Sequence, residues 1–176
     1  VGVQNSLLGI RAEIEGFDDY LIALLRSCYF AGFMIGSRLS PALIERVGHI
    51  RIFAALSAVA SVTILIHALY VDPWAWALMR LLTGFAFSTI YVVAESWLNQ
   101  ASSNTNRGQI LAIYTAILLS GICAGQFMLN LASPAGFELF ILISVMVSVA
   151  AVPILLSVIA TPPPEETERV SIGHLW

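Results

Sequence analysis

The sequence contains no lysine, and all of its positive charge comes from eight arginines among 176 residues. Charged residues of both signs make up only 11% of the chain, against about 25% in an ordinary soluble domain. The formal net charge is −3. Because a nucleic-acid-binding protein needs a basic face, this composition excludes nucleic acid as a partner. It also argues against a soluble domain.

Cysteine and paired catalytic residues are scarce as well. Cys28 and Cys123 each lie inside an apolar run, where a small packing residue is favoured over a disulfide or a metal ligand. An intramembrane enzyme would need a constellation such as Gly-x-Ser-x-Gly with a histidine, or His-Glu-x-x-His, and neither occurs. We therefore expect no enzyme activity, no metal site and no cofactor.

Apolar residues are abundant, at 59% of the chain, and they come in long unbroken runs. A membrane-spanning helix needs about 20 such residues, and five segments meet that length. Residues 1–10 cover only about 15 Å as a helix, so we interpret them as the outer end of a truncated first helix. Residues 161–176, polar and proline-rich, predict a linker toward a missing second half. The five predicted spans within the 1–160 half-bundle are residues 20–39, 51–71, 74–97, 109–131 and 137–160.

The placement of arginine predicts how the chain is oriented in the membrane. One set of connections holds five arginines, and the opposite set holds Arg11 alone among six acidic residues. By the positive-inside rule the arginine-rich set is cytoplasmic. The tail is then cytoplasmic too. The five arginines of the cytoplasmic set are Arg38, Arg46, Arg51, Arg107 and Arg169.

Two glycine pairs suggest an internal repeat. Gly32 and Gly36 lie four apart on the second helix, and Gly121 and Gly125 lie four apart on the fifth. These helices occupy matching places in two three-helix units of opposite direction, which is the pattern of an inverted-topology repeat. Small residues four apart also allow ordinary close helix packing, so the glycines alone leave both interpretations open.

Three motifs carry a resemblance to a known family. The segment between the second and third helices has an acid-Arg-x-Gly-basic core at Glu45, Arg46, Gly48 and Arg51. The fourth helix places Gly84 four residues after Arg80, and its inner end has Tyr91-x-x-Glu95. Arg107-Gly108 then opens the fifth helix. In this order, the motifs resemble the amino-terminal six-helix half of major facilitator superfamily transporters, with sugar-porter-like signatures.

The resemblance implies an all-α half-bundle with 3+3 inverted repeats, in a bacterial inner membrane. It implies alternating-access transport of a small solute, with or without a coupled proton, in association with a carboxyl-terminal half. The chain departs from the superfamily pattern at Pro41, where a glycine is usual, and at His49 and Ile50, where basic residues are usual. A structural or assembly subunit without transport activity is the alternative that we retain.

The resemblance also implies a role for the inner charges. Arg80 and Glu95 are about 22 Å apart along the helix axis, so they cannot pair with each other. We expect Glu95 to join cytoplasmic arginines in a network that closes the inner side, although a snorkelling interfacial anion is the competing interpretation. The gating network comprises Glu45, Arg46, Gly48, Arg51, Glu95, Arg107 and Gly108.

Arg80 has two interpretations. It could neutralise an anionic substrate or coupling carboxylate, or anchor the outer interface beside Trp74 and Trp76. Arg26 lies at similar depth on the second helix but belongs to no motif, so for Arg26 the anchor interpretation is favoured. The candidate solute or coupling-ion residues are Arg80, Tyr91, Gln126, Asn130, Gln4 and Asn5, and the predicted helix-packing glycines are Gly32, Gly36, Gly84, Gly121 and Gly125.

Overall fold

The computed structural model describes residues 1–156, and this part of the chain is all-helical, as predicted. The predicted linker 161–176 and the end of the last predicted span lie outside the described residues. Asp18 and Asp72 cap the amino-terminal ends of the second and fourth helices, because their side chains accept hydrogen bonds from otherwise free backbone N–H groups. The elements are α1 Gly2–Ile14, α2 Asp19–Val47, α3 His49–Leu69, α4 Pro73–Ala101, α5 Arg107–Phe127, a 3₁₀ turn Met128–Asn130, and α6 Glu138–Leu156.

Five helices of the described region are long and apolar enough to cross a membrane. These are α2, α3, α4, α6, and α5 taken together with the 3₁₀ turn that follows it. With 13 residues, α1 is about 20 Å long, which is less than the roughly 30 Å hydrocarbon core of a bilayer. The described chain is therefore an integral membrane protein with five candidate spans.

The second helix does not end at residue 39 as predicted, because it continues to Val47. Its 29 residues extend about 43 Å, so the helix projects well beyond the hydrocarbon core. Pro41 lies inside it and does not end it. The connection between the second and third helices is therefore reduced to Gly48. Its φ of +90° is a backbone conformation that residues other than glycine rarely adopt.

The tightest interface joins α2 to α4. A Cβ on Gly32 would collide with the Leu81 carbonyl, and a Cβ on Gly84 would collide with the Tyr29 carbonyl. Gly36 lies against Phe85, where a Cβ would come within 2.7 Å of the carbonyl oxygen. These positions bring two helix backbones into direct contact, which is how small residues join helices in lipid.

Hydroxyl groups hold the third helix to its neighbours. The Ser61 hydroxyl lies 2.6 Å from that of Ser144 and 2.9 Å from that of Ser148, both on α6. Thr83 on α4 donates to Thr63 on α3 across 3.0 Å. Each such bond between membrane helices contributes on the order of 0.6 kcal/mol, so α3 is fixed between α4 and α6.

The first and fifth helices complete one side of the bundle. Leu7 and Ala12 of α1 are fully buried. The fifth helix is the opposite case, since Gly125 is its one buried residue. A Cβ on Gly125 would lie 3.4 Å from Val3, whereas one on Gly121 would meet no atom within 4 Å. Most of α5 thus faces away from the other described helices.

Candidate functional site

A cavity of about 300 Å³ lies between α1, α2 and α4. Both Arg26 and Arg80 line it. Each follows the first residue of its helix by seven positions, which is about 10 Å of helical rise. Both helices begin on the predicted outer side, so both arginines belong to the outer half of the bundle. The Arg26 guanidinium lies near Gly9 of α1, whereas that of Arg80 lies farther in, at Asn5.

Arg80 is held in place from two directions. Its Nη2 donates to the Asn5 side-chain oxygen across 2.5 Å. Its guanidinium carbon lies 4.4 Å from the centre of the Tyr29 ring, a cation–π contact. Its Nη1 is buried and has no hydrogen-bond partner among the described residues. The side chain is thus fixed in position while one of its donor groups stays unused.

Burial distinguishes the two sequence interpretations of Arg80. An anchor in the headgroup region would be exposed, yet Arg80 is only 4% exposed. The two tryptophans that precede Arg80 on the same helix also differ in their exposure. Trp74 is 72% exposed, whereas Trp76 is fully buried and its indole donates to the Tyr70 carbonyl. The geometry therefore favours a role for Arg80 inside the bundle, and it removes Trp76 from the predicted aromatic belt.

Arg26, for which the sequence favoured an anchoring role, lines the cavity and is exposed. It also lines a second, outer hollow together with Glu13 and Asp19. Neither carboxylate forms an ion pair with Arg26. Among residues 1–156, the one ion pair within 4.0 Å joins Arg11 to Glu15. Arg26 thus stands between an acidic outer hollow and the cavity that contains Arg80.

The other predicted solute residues are distributed over several places. Gln126 on α5 accepts a hydrogen bond of 2.8 Å from Ser6 on α1. Tyr91 lines a smaller hollow of about 180 Å³ between α1, α4 and α5. Gln4 is buried with its amide nitrogen unpartnered in the described structure, and Asn130 bonds to the Phe127 carbonyl nearby. Only Asn5 joins Arg80 directly.

The predicted gating residues all lie at one end of the bundle. Glu45 and Arg46 occupy the last turn of α2, Arg51 the first turn of α3, and Arg107 begins α5. These side chains and Glu95 are exposed. Within the described region no two of them approach within the 4.0 Å of an ion pair. The structure gathers these charges at one end without pairing them.

Sequence reasoning missed the contact that fixes this end. The ring of His49 lies 3.1 Å from the Ser96 hydroxyl and stacks on Trp97 at a centroid distance of 5.9 Å. Phe53 on α3 also stacks on Trp97, at a centroid distance of 6.1 Å. In the sequence, His49 stands out only as a departure from a basic position of the superfamily pattern. Phe53 lies on α3 and Trp97 on α4. Nothing in their positions along the sequence predicts that the two rings would be in contact.

A second missed residue is Arg11 at the outer end. It pairs with Glu15 at 2.6 Å and donates to the backbone carbonyl of Ala135. Pro134 offers another carbonyl oxygen at 3.5 Å. The end of α1 is thereby tied to the connection that precedes α6. In the sequence Arg11 was simply the lone arginine of the outer side.

Comparison with known proteins identifies the family. Residues 2–174 match the major facilitator superfamily. The chain belongs to this superfamily. Because the superfamily comprises transporters and not enzymes, the prediction that the chain is not an enzyme is confirmed. No solved structure matches the chain significantly.

Curated relatives of this chain include uncharacterized MFS-type transporters of Yersinia, Escherichia and Enterobacter species. An uncharacterized MFS-type transporter of Yersinia enterocolitica is 28% identical over 88% of this chain and 41% of its own length. The uncharacterized MFS-type transporter YcaD of Escherichia fergusonii is 27% identical over 99% of this chain and 46% of its own length. The chain therefore spans about half the length of the relatives it matches, as the predicted half-bundle requires.

Proposed function

We propose that this superfamily chain acts as the amino-terminal half of a secondary transporter, which moves a small solute across a bacterial inner membrane by alternating access. The main support is the superfamily match over residues 2–174. Coverage of 41% to 46% of the relatives' length supports a second half of similar size. The exposed apolar surface of α5 supports the same arrangement, since it offers a face for that half.

We further propose that Glu45, Arg46, Arg51, Glu95 and Arg107 form a cytoplasmic gate. Their shared end of the bundle and their sugar-porter-like motifs support this role. Exposed ion pairs contribute only about 0.2–1 kcal/mol each. Covering these groups with a second half would strengthen their attraction, because the local dielectric constant falls. The gate would then close when the halves meet at the cytoplasmic side and open when they separate.

The gate can be tested without knowing the solute. The test uses a longer protein in which this chain is joined to the proposed second half. In it Cys28 and Cys123 are replaced by serine, and Leu118, which lines the Tyr91 hollow, is replaced by cysteine. Inverted membrane vesicles then present the cytoplasmic face to an impermeant maleimide. Glu95→Gln should raise the labelling rate of this cysteine several-fold, because it weakens the closed state.

Glu138→Gln is the matched control, since this carboxylate lies at the opposite end of the bundle, and it should leave labelling unchanged. Equal labelling rates in the Glu95→Gln variant and the parent would contradict the gate. Transport itself is tested by incubating proteoliposomes with a mixture of cellular metabolites and identifying retained solutes by mass spectrometry. Retention by the longer protein and not by the 176-residue chain is expected. If the longer protein retains no solute, the assembly-subunit alternative is favoured.

A further inference from the structure

We infer that the cavity lined by Arg26 and Arg80 binds a small organic anion, with its carboxylate against the arginines and its apolar body against α1 and α2. This inference rests on the proposed function, for which it names the substrate class. It goes beyond the family assignment, because membership of a transporter superfamily leaves the charge of the solute open.

The first argument is charge. Two guanidinium groups line the cavity, and none of the described residues that line it is acidic. Arg80 is buried, and a buried cation without a counter-ion is unfavourable. Its described hydrogen-bond partner, Asn5, is neutral. An anion entering the cavity would therefore supply the missing opposite charge.

The second argument concerns the available donors. A guanidinium is a planar fork that can hold both oxygens of a carboxylate. In Arg80 one branch is engaged by Asn5, whereas Nη1 has no partner among the described residues. The contact with Tyr29 fixes the plane of the group. The cost of ordering Arg80 is thus met before a ligand arrives, which favours binding.

The third argument is the size and lining of the cavity. A volume of about 300 Å³ is at the lower end of the range for small-molecule sites. Apolar side chains form most of the wall apart from the arginines, and they include Leu8, Ile22, Leu25 and Phe30. Such walls favour a compact aliphatic or aromatic body. A fully hydrated inorganic anion would gain nothing from them.

Arg26 adds an approach path. It is exposed and shared between the cavity and the outer hollow that contains Glu13 and Asp19. A carboxylate entering from the outer side would meet Arg26 first and Arg80 behind it. Arg26 should therefore contribute less than Arg80 to equilibrium binding, because water screens its charge more strongly.

Binding can be measured on the 176-residue chain in lipid nanodiscs, with ¹⁹F NMR of two matched probes. These are 4-fluorobenzoate, which is an anion, and 4-fluorobenzamide, which has nearly the same shape and no charge. Nanodiscs without protein correct for partition into lipid. Saturable binding of the benzoate is expected at millimolar concentrations or below, at least ten-fold tighter than binding of the amide.

Three variants locate the bound anion. Arg80→Gln should weaken benzoate binding ten-fold or more, and Arg80→Lys should recover part of the loss because it restores the charge. Arg26→Gln, at an exposed position, should weaken binding only about three-fold, because water already screens the charge that it removes. Arg38→Gln is the control on the same helix, exposed and outside the cavity, and it should change nothing.

Absence of saturable benzoate binding, equal binding of the two probes, or equal affinity in Arg26→Gln, Arg80→Gln and the parent would each overturn the inference. These outcomes are separable from failure of the proposed function, since the measurement requires binding and no transport. Selective benzoate binding by the chain together with no solute retention by the longer protein would contradict the proposed function alone.

Discussion

Replacing Gly84 by alanine should force α2 away from α4. The added Cβ would lie 2.9 Å from the Phe33 backbone nitrogen and closer still to the Tyr29 carbonyl. Both are backbone atoms, so no change of rotamer relieves the collision. Overpacking of this kind costs up to about 3 kcal/mol, and the higher helix propensity of alanine returns about 1 kcal/mol. We expect a net loss of about 2 kcal/mol in the free energy of unfolding.

The matched control is Gly121→Ala on α5, where the new Cβ meets no atom within 4 Å. Only the propensity gain of at most about 1 kcal/mol remains there, so the two variants should differ by about 3 kcal/mol. Circular dichroism during unfolding in mixed detergent and dodecyl sulfate micelles would measure both. A Gly84→Ala variant as stable as the Gly121→Ala variant would refute the backbone-to-backbone account of the interface.

Two further variants test the ends of the bundle. Gly48→Ala should lower the free energy of unfolding by about 1–3 kcal/mol, because it places a side chain at a φ of +90°. Gly108→Ala, which has open space around it, is its control in the same unfolding assay, and equal stability of the two would contradict the strain argument. Arg11→Gln removes the ion pair with Glu15 and should speed amide hydrogen exchange at Ala135 and Gly136, which follow Pro134 in the connection that Arg11 contacts. Exchange rates there that match those of Arg38→Gln would show that Arg11 does not hold this connection.

Composition and run length were enough to predict the helical membrane architecture. Five apolar runs became five candidate spans, because a bilayer demands long apolar helices whatever their neighbours are. The predicted end of α2 at residue 39 was wrong for a related reason. A prediction scaled to bilayer thickness stops where the membrane stops, whereas the helix continues through Pro41 to Val47 in the aqueous region.

The candidate site was only partly predictable. Arg80 and Asn5 were both singled out, since polar groups at membrane depth are few and costly. Their pairing was not predicted, because it joins residues 75 positions apart and depends on how α1 packs against α4. Tyr29 was missed altogether. A tyrosine in an apolar run has no sequence signal that distinguishes a cation–π partner from a packing residue.

The contact between α2 and α4 has a consequence for synthesis. Gly32 and Gly84, which meet the opposite backbones, are separated by 52 positions along the chain. A ribosome adding about 5–20 residues per second delivers the second glycine roughly 3–10 s after the first. During that interval lipid chains must fill the groove on α2. In the nascent protein, lipid chains therefore occupy the groove on α2 until α4 emerges and displaces them.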